Sequence, residues 1–193
     1  MTNTPNRPRH TGRTVLAEGR FLHLDCIEYD DRHGRSRRWE AAMRTGNQGA
    51  VLMIPILRPS GRFVILRQYR PPLDAYVLEF PAGLVDPGEE PATTAVRELT
   101  EETGYTGTLR WIGRPASSSA GMTGETVTMA FLDIDESLPE NQNPVPQLEA
   151  SEDIEVLVVA PDELPDFLRA REAEGMIVDS RAVAYFMGLG VTW

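Results

Sequence analysis

Glu98, Glu101 and Glu102 crowd one short stretch, Arg97-Glu98-Leu99-Thr100-Glu101-Glu102. On a helix, Glu98 and Glu102 are four residues apart and share a face, with Glu101 beside them. Like charges at that spacing destabilise an isolated helix, and a cation between them removes the cost. Oxygen-only ligands suit a hard ion such as Mg²⁺ or Mn²⁺. Such an ion can neutralise a bound anion such as phosphate and activate a water. Arginine completes the grip on the anion. The same three acids also suit an ordinary solvated Glu-rich face, so their spacing alone leaves both readings open.

The element that must position these acids is a helix. Ala92, Ala95, Val96 and Leu99 fall at i, i+3, i+4 and i+7 and form one apolar face over residues 91–103. Pro91 suits the first turn, and Gly104 suits the position just past the end. Strands are expected on both sides of it: 21–27, 38–43, 50–57, 63–68 and 75–80 before, and 110–112, 126–133 and 154–159 after. Two closing helices are expected around 162–174 and 180–189, the second capped by Asp179 or Ser180. Phe167, Leu168, Tyr185, Phe186 and Met187 read as core. Residues 134–151 read as a long exposed loop, and long loops in compact domains are often functional. Strands, a helix, more strands, then helices predict an α/β fold with a mixed sheet rather than a doubly wound parallel one.

Composition narrows the chemistry. The chain has 193 residues, and all 19 of its basic residues are Arg. A Walker-A lysine, a Schiff-base lysine and any lysine nucleophile are therefore excluded. Cys26 is the only cysteine, which excludes an internal disulfide and a Cys-based zinc site. His10, His23 and His33 lack the close pairing of zinc ligands, and Ser117-Ser118-Ser119 lacks the G-x-S-x-G of a serine hydrolase. The longest apolar run, residues 50–57, is too short to cross a bilayer. The polar N-terminus shows no signal peptide, so the expected location is the cytoplasm.

Net charge is −10, but residues 1–70 carry 13 Arg against 6 acids, while the remainder is strongly acidic. Two solvated faces would produce this split. So would a cleft in which arginines hold phosphate and carboxylates hold a cation.

A longer pattern surrounds the acids: G-x5-E-x7-R-E-U-x-E-E-x-G-U, where U is bulky and apolar or aromatic. Gly83, Glu89, Arg97, Glu98, Glu101, Glu102 and Gly104 fill the fixed positions, and Leu99 and Tyr105 fill the others. With about one residue in sixteen matching each fixed position, chance agreement is on the order of one in 10⁸ per window. The pattern resembles the signature of the Nudix hydrolases. That resemblance implies an α/β/α sandwich with a loop–helix–loop catalytic motif, and metal-dependent cleavage of diphosphates linked to another group. It implies Ala82 (through its carbonyl), Glu98 and Glu102 as metal ligands, and Glu101 as an assisting acid. Arg97 and Glu89 are implied as an ion pair that fixes the loop.

Further segments are similar to the ADP-ribose and ADP-sugar pyrophosphatase branch of that family. They are Gln68-Tyr69-Arg70-Pro71-Pro72, Glu79-Phe80-Pro81-Ala82-Gly83-Leu84-Val85-Asp86 and Arg38-Trp39-Glu40-Ala41-Ala42-Met43-Arg44. The branch implies hydrolysis of ADP-ribose or a related nucleoside diphosphate sugar to AMP and a sugar phosphate. It also implies a homodimer in which aromatics sandwich the adenine. Phe21 and Trp39 occupy the matching places, Glu40 and Arg44 would contact the nucleotide, Arg70 the phosphates, and Leu84 would line the site. Glu152 is the matching catalytic acid on a loop after the motif, with Glu125 as the runner-up. A core or dimer role remains open for Trp39, and simple packing for Phe21. Ala120 departs from the branch, which typically has proline there. GDP-mannose, a UDP-sugar, NADH, or binding of ADP-ribose without cleavage stay open as alternatives. No nucleic-acid or membrane partner is expected. The expected organisation is a disordered tail over 1–12, an N-terminal β segment over 13–45 and the catalytic domain over 46–193.

Overall fold

The computed structural model describes residues 7–46, 49–150 and 152–193. The first elements in the chain are β1 (Arg9–Glu18), β2 (Leu22–Asp30), β3 (Ser36–Arg44), β4 (Ala50–Arg58) and β5 (Phe63–Arg70). A 3₁₀ turn, Pro71–Leu73, leads to β6 (Ala75–Glu79), β7 (Ala82–Leu84) and α1 (Pro91–Thr103). The chain continues through β8 (Thr108–Ile112), β9 (Ala116–Ser117), β10 (Thr126–Asp135), α2 (Pro139–Gln142) and β11 (Ile154–Val159). It closes with α3 (Leu164–Ala173), β12 (Ile177–Val178) and α4 (Ser180–Gly188). These elements divide into two units: Met1–Gly49 with Pro115–Val127, and Ala50–Arg114 with Thr128–Trp193. No helix among the described residues is long and apolar enough to cross a membrane.

In the first unit, β1, β2 and β3 form an antiparallel meander. β1 begins at Arg9, inside the stretch expected to be a disordered tail. Arg9 lies opposite Asp30 and forms an ion pair with it at 3.5 Å. The polar sequence hides this strand because its partner, not its own periodicity, makes it one. Residues 1–6 of that expected tail lie outside the described residues. The segment 115–127 groups with this unit in space, although it lies within the expected 46–193 domain in sequence. β9 pairs with Thr126 and Val127, and Ala42 N donates to Met122 O at 2.8 Å. Asp25 is fully buried and is held by His23 Nδ1 at 2.7 Å and by Arg13.

The second unit is organised around β4 and β5. Seven consecutive residues of β4, Val51 to Leu57, are buried, so both faces of the strand are covered. The strand order is β12-β6-β5-β4-β10-β8, with β11 added on β5 and β7 on β4. The β12–β6 pair is parallel and the pairs of β5 with β6 and β11 are antiparallel, so the sheet is mixed. Alternation assigns the helices to opposite faces. Val51, Met53 and Val64 pack with Ala95 and Leu99 of α1. Phe63, the neighbour of Val64, instead meets Phe186 and Tyr185 of α4 edge-on, at 5.5 and 6.1 Å between ring centroids. The result is a helix–sheet–helix sandwich.

Two expectations need correction here. Met187 is exposed, because it falls one residue beyond the buried face set by Ala182 and Phe186. Residues 134–151 are not uniformly exposed: β10 runs on to Asp135, and Asn141 of α2 is buried. Its amide bridges Thr106 N, Thr106 O and Asp135 O at 2.8–2.9 Å, which satisfies a polar group that would be costly to bury alone. At the N-terminus of α4 the cap is Asp179, whose carboxylate accepts from Arg181 N at 2.9 Å.

Candidate active site

β7 delivers the chain into a loop, and the loop into α1. Pro91 occupies the first helical turn, and Gly104 ends the helix with φ 74°. A Cβ at Gly104 would lie 2.3 Å from Val145 N, so both the backbone angle and the available space require glycine. The inner face of α1 buries Ala95 and Leu99 completely. Full burial of a leucine stabilises by roughly 1.5–3 kcal/mol relative to exposure, which anchors the helix against the sheet. The next turn carries Glu102 into the same buried environment, at 6% exposure.

Glu102 accepts a hydrogen bond from Ala82 N at 3.0 Å. Burial, reinforced by the charge on Glu98, pushes its carboxyl up to about 8. Burial also raises Glu98, against the opposing effect of Arg97, whose Nη1 donates to it at 2.9 Å. Gly83 makes room for Glu98: a Cβ there would sit 1.9 Å from its Cδ. Glu101 is more exposed and accepts from the same Arg97 nitrogen at 2.8 Å.

The expected ion pair forms as a fork. Arg97 Nε and Nη2 donate to the two Glu89 oxygens at 3.1 and 2.8 Å, and Thr94 Oγ1 donates to Glu89 at 2.7 Å. Arg97, followed by Thr94, holds the Glu89 carboxyl down to about 2. The fork ties the loop to the helix that it precedes.

Ala82, Leu84, Glu98, Glu101, Glu102 and Glu152 all line one pocket of about 610 Å³, together with Gln147 and Glu149. Glu152 comes from the far loop, just before β11, and its charge reaches both Glu98 and Glu102. As placed, no three His, Cys, Asp or Glu among the described residues converge into a metal-holding group. Glu98 faces Arg97 instead, and Glu102 faces the Ala82 amide. The donor chemistry nonetheless fits a hard divalent ion. The acids are all oxygen ligands; Glu102 is buried, Glu98 is partly buried, and the two repel each other, so a cation lowers the energy of the ionised pair.

Arg70 does not line this pocket. Its Nε donates to Glu79 Oε1 at 2.8 Å, and Glu79 is 7% exposed with a carboxyl raised by burial. Glu79 opens one of the segments similar to the pyrophosphatase branch, but the sequence reading assigned it no role. An acid ending the apolar strand Ala75–Glu79 was the available signal, since a buried acid needs a partner.

The first unit holds the remaining expected residues. Trp39 is half exposed, and its Nε1 donates to Gly121 O at 3.0 Å. Trp39, Glu40 and Gly121 line a separate pocket of about 580 Å³. Arg44 Nε donates to Glu125 Oε2 at 2.8 Å, so an expected nucleotide contact and the runner-up acid pair with each other. Phe21 is exposed, with the Arg20 guanidinium 4.9 Å from its ring centroid. Phe21 O lies against Thr45 N, whereas Trp39 pairs with Ile27. Six residues of strand, roughly 20 Å, therefore separate the two aromatics. Within one copy they do not sandwich a ring.

Comparison with known proteins bears on this geometry. The NUDIX domain pattern matches residues 46–178. The chain is 33% identical over 189 residues to ADP-ribose pyrophosphatase of Saccharomyces cerevisiae, covering 94% of this chain and 81% of that protein. It is 31% identical over 195 residues to ADP-sugar pyrophosphatase of Mus musculus, covering 97% and 89%. A crystal structure of an ADP compounds hydrolase superposes with a TM-score of 0.61 at 21% identity, covering 84% and 83% of the two chains, and shares the fold.

Proposed function

The chain belongs to the NUDIX family, and from that premise we propose that it hydrolyses the diphosphate of ADP-ribose or a related nucleoside diphosphate sugar, giving AMP and a sugar phosphate. The observation that carries the reading is the 610 Å³ pocket lined by Glu98, Glu101, Glu102 and Glu152. Likeness over most of both chains to the yeast and mouse enzymes supports the substrate class.

Glu98, Glu102 and the Ala82 carbonyl would hold Mg²⁺ or Mn²⁺, with Glu101 assisting. When bound, the ion neutralises diphosphate charge and lowers the pKa of water. Glu152 orients the attacking water and takes its proton. The water oxygen bonds to one phosphorus, the bridging P–O bond breaks, and the bridging oxygen leaves on the other phosphate. Leu84 lines the site beside the acids. Arg70, held through its Nε on Glu79 outside the acid pocket, would offer its Nη groups to a phosphate that extends beyond the acids. The fork between Arg97 and Glu89 keeps the loop and helix in register through the cycle.

We assign adenine to Phe21 and Trp39, with Glu40 and Arg44 on the nucleotide. Their separation along the strands favours a homodimer, in which Phe21 of one copy and Trp39 of the other face the two sides of the base. Stacking on flat aromatics suits adenine. One observation favours a second reading: Ala120 replaces the proline of the branch, which points to another nucleoside diphosphate derivative such as GDP-mannose, a UDP-sugar or NADH. Binding without cleavage is disfavoured because every acid of the motif is retained.

The test is a panel of these compounds with Mg²⁺ or Mn²⁺, with products identified by mass spectrometry. The expected result is AMP and ribose 5-phosphate from ADP-ribose, faster than products from the other compounds. No turnover of any compound with either metal would overturn the proposal.

A further inference from the structure

The loop that carries Glu152 is tied down at both ends. At its near end, Gln147 N donates to Glu101 O at 2.7 Å, joining the loop to the last turn of α1. Inside the loop, Glu149 N donates to the Glu152 carboxylate at 2.8 Å, and Glu152 N donates back to Glu149 O at 3.0 Å. At its far end the tie falls on Asp153. Tyr69 N donates to Asp153 O at 3.3 Å, and the Tyr76 hydroxyl donates to Asp153 Oδ2 at 2.7 Å. The phenol makes the shorter of these two bonds.

Tyr76 is itself held firmly. It pairs with Tyr69 across β5 and β6, ring edge to ring face at 5.6 Å between centroids. The Arg67 guanidinium lies 3.4 Å from its ring centroid on the same side of the sheet as these contacts require, and Arg67 also pairs with Glu155 at 3.1 Å. The Asp153 carboxylate pushes the phenol pKa up, so the hydroxyl keeps its proton and remains a donor. Tyr76 does not line the acid pocket, whereas Glu152 does.

We propose that Tyr76 is a positioning residue for Glu152: its hydroxyl pegs Asp153 to β6, and so holds the adjoining carboxylate at the pocket. The proposal rests on the reading of Glu152 as the acid that orients the water. One peptide unit, about 3.8 Å, separates the pegged residue from the acid, so slack at Asp153 passes directly to Glu152. The β5–β11 pairing begins at Ile154 and continues to Val159, so the strand stays in place without the peg. Loss of the hydroxyl therefore loosens the acid rather than the fold.

The test is steady-state hydrolysis of ADP-ribose with Mg²⁺ by Tyr76→Phe, Asp153→Asn, Glu152→Gln and the Tyr76→Phe/Glu152→Gln pair, with a thermal melt for each. Tyr76→Phe should melt like wild type and lose about tenfold in kcat with KM unchanged, because the pegged group acts in the reaction rather than in binding. Asp153→Asn keeps an oxygen that accepts from Tyr76 and should stay near wild type. Glu152→Gln should lose about 100-fold or more. The double variant should be no slower than Glu152→Gln alone. If Tyr76→Phe melts early, Asp153→Ala removes the same bond from the other side and should show the same kcat loss. Wild-type kcat in Tyr76→Phe beside an impaired Glu152→Gln refutes the peg alone. An equal kcat loss on adding Tyr76→Phe to Glu152→Gln refutes it too. Wild-type turnover by Glu152→Gln refutes the reading on which the peg depends.

Discussion

Replacing Gly83 by alanine adds one methyl group at the point where β7 passes beneath α1. That methyl would lie 1.9 Å from Glu98 Cδ and 2.2 Å from its Cγ and Oε1. Carbon atoms in ordinary contact stand about 3.5–4.0 Å apart, so the Glu98 carboxylate must retreat by about 1.5–2 Å. Gly83 has no left-handed backbone angle, so alanine adds no strain there. The group that yields is the end of a flexible side chain. The stability cost should therefore fall near the low end of the overpacking range, about 1 kcal/mol. In a chain of this length that is a fall of about 2–4 °C in Tm. Catalysis should suffer far more. Displacing a catalytic group by about 1 Å costs about 100-fold in rate. The assay is kcat on ADP-ribose across a Mg²⁺ titration, with a circular-dichroism melt on the same sample. Gly83→Ala should lose about 100-fold in kcat, require more Mg²⁺ and melt within a few degrees of wild type. A variant with kcat and Mg²⁺ half-saturation within about twofold of wild type would refute the placement of Glu98 at the reacting centre.

Three other outcomes follow from the same geometry. Glu89 is held at about 2 against an ordinary value of 4.5, so its stabilisation is complete above about pH 4.5 and is lost as pH falls through about 2. The gap in urea midpoint between wild type and Glu89→Gln should stay constant at neutral pH and close on acidification; a gap independent of pH would remove the Arg97 fork as its source. Gly104→Ala meets both a left-handed backbone and a 2.3 Å contact with Val145 N, so it should destabilise by about 2–4 kcal/mol in chemical denaturation. A loss below about 1 kcal/mol would mean that the end of α1 and the Val145 backbone separate easily. Trp39→Ala should raise KM for ADP-ribose far more than it lowers kcat; an unchanged KM would remove Trp39 from the nucleotide pocket.

How much of this was legible in the sequence depends on whether the cause was local. The bounds of α1 were readable because Pro91, the spacing of Ala92, Ala95 and Leu99, and Gly104 all act within one element. β11 was readable from its own run of Ile and Val. β1 was not, because its polar residues become a strand only by pairing with β2. The assignment of 115–127 to the first unit was hidden for the same reason: it depends on β9 meeting Thr126 and Val127, and on Met122 meeting Ala42. At the site, the meeting of Glu98, Glu102 and Glu152 around one pocket follows from motif spacing plus one loop. The bond between Arg44 and Glu125 joins residues 81 apart in sequence, and neither carries a local sign of the other. Glu79 was hidden in a segment read for its apolar residues, although an acid in such a place needs a partner such as Arg70. The correction at Met187 is one of phase, since a helix face excludes the residue directly beside a buried one.

On the proposed function, Glu98 and Glu102, with the Ala82 carbonyl, would hold the divalent ion of this pocket. Anomalous diffraction from crystals of the whole protein grown with Mn²⁺ tests it most directly. A manganese peak is expected about 2.0–2.4 Å from a carboxylate oxygen of each of Glu98 and Glu102, absent from crystals of Glu102→Gln. A peak elsewhere in the molecule, or one that survives in that variant unchanged, would contradict it.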